Sequence, residues 1–205
     1  MLLIGIHREE LAFGDQVAAG LADLPIELLR IPQGVSGRHP RPDQVFRAQV
    51  QHRELYHQVG SQVRGRYRLI MDLHCGLDDD GPSVDVLSPD PRLLACIEQQ
   101  ARADGGPPRP VRAVLILGRG RVPAPIDGVG DPWTPPAVAT RTLIPPEIWD
   151  AADLDYAGIE VYRRDEADPD AVDLARWLIR ITADCFSRRQ RSGTRTDSTR
   201  APSSD

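Results

Sequence analysis

The sequence predicts an α/β protein, a three-layer sandwich built on a mixed, mostly parallel sheet. Three observations predict it. A short continuous apolar run at residues 2–6 reads as a strand covered on both faces, and residues 111–117 read as a further strand. Longer segments between them carry apolar residues at helical spacing. The two kinds of segment alternate along the chain.

The elements follow in order. Residues 2–6 form the first predicted strand. Residues 9–24 place Leu11, Val17, Ala18, Leu21 and Leu24 at helical spacing. Residues 26–31 read as a second strand, stopped by Pro32, which has no N–H to give. Residues 33–42 form a loop rich in Gly, Pro and Arg. A helix is predicted over 42–63, with Val45, Phe46, Val50, Leu55 and Val59 on or near one face. Residues 67–73 are a third strand, and Asp78, Asp79, Asp80, Gly81 and Pro82 break the chain as a solvated turn. Another helix is predicted over 88–103, with Pro91 tolerated in its first turn. After the strand at 111–117 comes a long segment, 118–146, with many Gly and Pro. Such a segment is more often functional than idle. Its Gly118-Arg119-Gly120-Arg121 stretch lacks the pattern of a phosphate loop. A short strand at 158–162 and an amphipathic helix at 170–186 complete the predicted domain, 1–186. Residues 187–205 contain almost nothing apolar and read as a disordered tail.

Composition excludes several classes of function. A chain of 205 residues is one domain, long enough to bury roughly 70% of its unfolded surface. All 25 basic residues are Arg, so no lysine nucleophile or Schiff base is available. A net charge of -5 gives no pull toward nucleic acid or an anionic membrane. No apolar run reaches the length of a membrane span, and the first six apolar residues are too short for a secretory signal. Cys75, Cys96 and Cys185 are widely spaced and odd in number. They suggest neither a metal knuckle nor a disulfide framework, so a reducing, cytoplasmic setting is expected.

Chemistry concentrates at two places. His7 and Glu10 follow the first strand, and His74 closes the third. Two imidazoles and a carboxylate suit one zinc ion with an open coordination position. In open α/β sheets, sites form at the carboxyl ends of strands, and both histidines are expected at that edge. Asp72 points to the same face as His74 on a regular strand and is a candidate partner for its imidazole. Cys75 points to the opposite face, into the packing. His39, His52 and His57 are expected on a loop or an exposed helix face.

The motifs resemble those of the M14 zinc carboxypeptidase superfamily, especially its succinylglutamate desuccinylase and aspartoacylase branch. Gly5-Ile6-His7-Arg8-Glu9-Glu10 is similar to the branch's G-x-H-x-x-E motif. Asp72-Leu73-His74 matches its later D-L-H strand, and Gly158-Ile159-Glu160-Val161-Tyr162 is similar to its apolar strand bearing the catalytic glutamate. The resemblance implies that His7, Glu10 and His74 hold Zn2+ and that Glu160 is general base and acid. The family's arginine motifs are not intact. Arg47 is the nearest echo for the oxyanion, with Arg38 and Arg41 as rivals for binding a substrate carboxylate. The activity implied is hydrolysis of an amide bond in a small N-acyl amino acid or short peptide carrying a carboxylate. Three other readings stay open: a metal-binding accessory protein without catalysis, a formylglutamate-type amidohydrolase, and a structural domain whose two histidines lie far apart.

Overall fold

The computed structural model describes residues 1–38, 40–78, 80–103, 111–116 and 144–193. Among the described residues six strands form one sheet: β1 (Leu2–Ile4), β2 (Leu28–Arg30), β3 (Leu69–Leu77), β4 (Ser83–Ser88), β5 (Val111–Leu115) and β6 (Asp155–Arg163). Their order is β2-β1-β3-β6-β4-β5. Every pairing is parallel except β4 with β6, so the sheet is mixed and mostly parallel as the sequence predicts.

Side chains alternate across this sheet, and each face takes its own helices. Leu69, Met71, Leu73 and Cys75 of β3 join Ala157, Ile159 and Val161 of β6 on one face. There they meet α1 (Leu11–Ala19), α3 (Pro91–Ala103) and α5 (Pro169–Gly193) through Phe13, Val17, Leu93, Leu94, Ile97, Leu174 and Leu178. Leu3, Ile70 and Tyr156 point the other way, toward α2 (Val45–Val63) and α4 (Pro146–Trp149) through Tyr56, Val59, Val63, Ile148 and Trp149. The result is helices on both sides of one sheet.

The α1 side is tied by more than apolar contact. Arg176 and Arg180 of α5 donate to the carbonyls of Gln16 and Gly20 at 2.7 and 2.9 Å, satisfying acceptors that the end of α1 leaves open. Cys96 of α3 and Cys185 of α5 form a disulfide with Cα atoms 5.8 Å apart. This corrects the expectation that no cysteines pair. The packing of α3 on α5 unites residues 89 positions apart, which spacing in the sequence does not reveal. The expected reducing, cytoplasmic setting loses that support. Among the described residues no helix is long and apolar enough to cross a membrane.

Other differences have local causes. The strand β4 was not expected. Its period-2 burial, with Val84 and Val86 inside, directly follows the acidic turn that masks it. β3 runs on to Leu77, so His74 lies within the strand rather than after it. On α2 the buried face is Tyr56, Val59, Gly60 and Val63, whereas Phe46 is 80% exposed and Val50 49%. The apolar residues at the start of that helix therefore do not mark its inner face. The helix α5 continues past Phe186 to Gly193, so 187–193 are helical and not tail; 194–205 lie outside the described residues, as does most of the expected Gly- and Pro-rich segment 118–146, up to residue 143.

Candidate metal centre

The chain reaches the site through a glycine. Gly5 follows β1 with φ +81°, a left-handed backbone in which side chains are strained. A Cβ there would also sit 2.5 Å from the carbonyl oxygen of Ile31. The turn it makes delivers His7, in extended conformation, to the start of a short 3-10 turn over Arg8–Glu10. The Glu10 N–H donates to the His7 carbonyl at 3.0 Å, which sets the two side chains one above the other. His7 Nδ1 and Glu10 Oε1 are 2.8 Å apart.

Glu9, one position early, is used elsewhere. It accepts from the Ser36 hydroxyl at 2.8 Å and from the Gly37 N–H at 3.0 Å, clasping loop 33–37 to the turn. Slight burial raises its pKa, but these hydrogen bonds prevail and hold it at about 2. The same loop bonds along β1's extension, Val35 N–H to Ile6 and Arg8 N–H to Val35, at 2.9 and 3.0 Å.

His74 comes from β3, and its Nδ1 lies 3.0 Å from the second oxygen of Glu10. The rings of His7 and His74 are 5.1 Å apart. Nitrogen and oxygen atoms of His7, Glu10 and His74 all fall within 4.8 Å of one another. The structure thus brings the three together, against the reading in which the histidines are distant.

Beneath His74 lies a fully buried carboxylate. Asp72 Oδ2 accepts hydrogen bonds from the Tyr56 and Tyr156 hydroxyls at 2.6 and 3.0 Å. Its Oδ1 faces His74 Nε2 at 3.1 Å, a contact bent away from good hydrogen-bond alignment. Burial alone would raise the pKa of Asp72; the charge on His74 and these donors lower it instead. For His74, burial would lower the pKa, and Asp72 and Glu10 raise it well above the usual histidine value.

These surroundings set the tautomer, and the tautomer tests the fit to a metal. His74 Nε2 sees only acceptors: Asp72 Oδ1, and at 3.4 Å the Tyr56 oxygen, whose proton is given to Asp72. Nε2 therefore carries the hydrogen. In the neutral ring Nδ1 is then a lone pair aimed at a carboxylate oxygen, and two acceptors at 3.0 Å need a cation or a proton between them. His7 Nδ1 offers a third donor atom to the same point. Two imidazole nitrogens and a carboxylate, one imidazole oriented by a buried aspartate, fit zinc.

Glu160 stands beside this group. It is opposite His74 in the parallel β3–β6 register, on the same face and about 4.8 Å away along the sheet. Burial pushes its carboxyl up to about 7; the His74 charge acts against that, and the Glu10 charge raises it further.

A cavity of about 900 Å³ opens over the sheet face, lined by His7, His74, Glu160, Tyr156 and Gly158 below and by α2 and loop 33–37 above. Arg38 and Arg47 are exposed and reach its wall, as does Arg8. Arg41 does not line it and lies nearest Asp43, at 3.9 Å. His39 and Asp79 lie outside the described residues.

Three residues escaped the sequence reading. Tyr56 and Tyr156 hold Asp72, and His52, expected to be exposed, is half-buried in the cavity wall with its ring 5.6 Å from that of His7. His52, Tyr56, Val59 and Val63 follow helical spacing, and that stripe was the available signal. Tyr156 depends on the pairing of β3 with β6 and had no local signal.

No family model matches the chain, and no curated protein matches it. Solved structures do. Murine aminoacylase 3 is 13% identical with a TM-score of 0.44, covering 92% of this chain and 64% of that chain. The present chain thus spans less than two thirds of that protein's length. The CwlD amidase from Clostridioides difficile, in complex with the GerS lipoprotein, is 12% identical with a TM-score of 0.47, covering 86% and 84%. The catalytic domain of CwlV, an N-acetylmuramoyl-L-alanine amidase from Bacillus (Paenibacillus) polymyxa var. colistinus, is 9% identical with a TM-score of 0.40, covering 92% and 96%.

Proposed function

We propose that this chain is a zinc-dependent hydrolase of amide bonds, of the M14 type, acting on a small N-acyl amino acid or short peptide that bears a carboxylate. One observation carries the reading. His7 Nδ1, His74 Nδ1 and the Glu10 carboxylate converge on one point in the floor of a large cavity that Glu160 also lines. The G-x-H-x-x-E and D-L-H motifs support the same assignment.

In this reading His7, Glu10 and His74 hold one zinc ion, which supplies Lewis acidity toward a carbonyl oxygen and toward water. Asp72 keeps the proton on His74 Nε2, so that Nδ1 stays a donor to the metal. Tyr56 and Tyr156 keep Asp72 ionised and aimed. Glu160, opposite His74 in the sheet and lining the cavity, takes a proton from the attacking water and passes it to the departing amine nitrogen. Arg38 and Arg47 on the cavity wall pair with the substrate carboxylate. Arg41, outside the wall, has no part in this scheme.

The test is elemental analysis joined to turnover. Purified protein equilibrated with zinc and desalted is expected to retain one ion per chain, and His74→Ala to retain none. Glu160→Gln is expected to keep the ion and to lose roughly 10²–10⁴-fold in kcat on a panel of N-acetyl and N-succinyl amino acids. A wild-type protein that retains no zinc overturns the proposal. Zinc retention without turnover on the panel leaves a metal-binding protein and overturns the enzymatic half.

A further inference from the structure

The resemblance leaves the oxyanion to an arginine, yet Arg47 lies on the exposed flank of α2. Beside Tyr56, α2 also turns His52 toward the candidate site. It belongs to the inward stripe with Tyr56, Val59 and Val63. Its ring is stacked near His7, with centroids 5.6 Å apart and planes 29° apart, and leans on Tyr56 at 5.0 Å. Two aromatic neighbours therefore fix its orientation, and the ring lines the cavity.

His52 is not one of the three residues whose donor atoms converge. Its Nδ1 is enclosed and has no hydrogen-bond partner. Leaving a buried N–H unpaired is costly, on the order of 1–3 kcal/mol, so the hydrogen is better placed on Nε2. With Nδ1 closed off, Nε2 is the nitrogen that can serve the cavity. Among the described residues the cavity wall thus presents an oriented imidazole beside His7 with no assigned task.

We propose that His52 is a substrate-contacting residue whose Nε2–H donates to the carbonyl oxygen of the bound amide as that oxygen gains charge. The inference rests on the zinc-hydrolase reading and assigns the oxyanion to α2's inner face rather than to Arg47. No bond to His52 forms or breaks; the hydrogen bond strengthens as the carbonyl becomes tetrahedral. The stacked ring needs no reorganisation to do this, which is the advantage of a preorganised donor.

The experiment uses the full chain loaded with zinc and two variants. His52→Phe keeps a stacking ring and removes the donor; His52→Gln restores a donor without the ring. Zinc content, calorimetric binding of acetohydroxamate and kcat on N-acetyl amino acids are measured for each. The expected result is unchanged zinc in both variants and acetohydroxamate binding at least 10-fold weaker in His52→Phe. Recovery of part of that loss is expected in His52→Gln. Where turnover is measured, kcat is expected to fall about 10²-fold in His52→Phe with KM little changed. Wild-type acetohydroxamate affinity in His52→Phe overturns the inference while leaving the zinc reading intact. Loss of zinc in His52→Phe overturns it too, since His52 would then support the metal. A wild type without zinc removes the underlying reading first, and this inference with it.

Discussion

The two faces of the sheet are built from the same strands and do opposite things. Toward α1, α3 and α5, β3 and β6 present Leu69, Met71, Leu73, Ala157, Ile159 and Val161 to an aliphatic layer that a disulfide fastens. Toward α2 the same strands present Asp72, His74, Tyr156 and Glu160, polar groups that are expensive to bury and tolerated only when paired. A one-residue alternation thus separates an apolar supporting face from the polar face that carries the candidate site. That site stands on a plate whose far side is packed.

Substitutions that act on one face alone test this division. Leu94→Ala, in the fully buried face of α3, is expected to lose about 2–5 kcal/mol of stability in denaturant titration and to leave zinc affinity unchanged. A matching loss of zinc affinity would break the division. Replacing Cys96 and Cys185 together by Ser is expected to cost about 2–4 kcal/mol, because the closed loop is long, again without effect on zinc.

The third test is on the polar face and depends on pH. In the metal-free protein, Glu160 binds its proton up to about 7 in the folded state, against an ordinary value of 4.5. The folded chain then holds a proton that the unfolded chain has released. Its contribution is fully present below pH 4.5 and is lost as pH rises through about 7. Glu160→Gln is expected to flatten that dependence and to be the more stable by about 3 kcal/mol at pH 8. An unchanged slope between pH 5 and 8 would show that the carboxyl is not held up by burial. The smallest effect is expected for Tyr156→Phe, which removes one donor to Asp72. It should cost about 1–3 kcal/mol and weaken zinc binding roughly 10-fold. Stability lost with zinc affinity intact would detach Asp72 from the metal site.

Much of the site was legible because its residues sit close together in sequence or at strand ends. His7 and Glu10 are three apart, and Asp72 and His74 two apart on one strand, so local geometry alone aligns them. Glu160 was legible as an acid in an apolar strand, and its place opposite His74 needed the register. The inner face of α2 was misread because two of its members, His52 and Tyr56, have polar tips, while Phe46 and Val50 are apolar and exposed. Hydrophobicity ranks residues by transfer to oil, and a buried polar network inverts that ranking. The disulfide and the partnership of Tyr56 with Tyr156 join positions far apart in the chain, where only the fold supplies proximity.

The clasp of Glu9 on Ser36 and Gly37 has a consequence for how the site responds to acid. Its carboxylate stays charged down to about 2, so the loop that walls the cavity is held alike at pH 5 and at pH 8. Glu160, on the floor, changes its proton within that interval. The rim is blind to pH where the floor is sensitive to it. In the metal-free protein, a pH dependence of stability near neutrality therefore reports on the sheet and not on the Glu9 clasp above it.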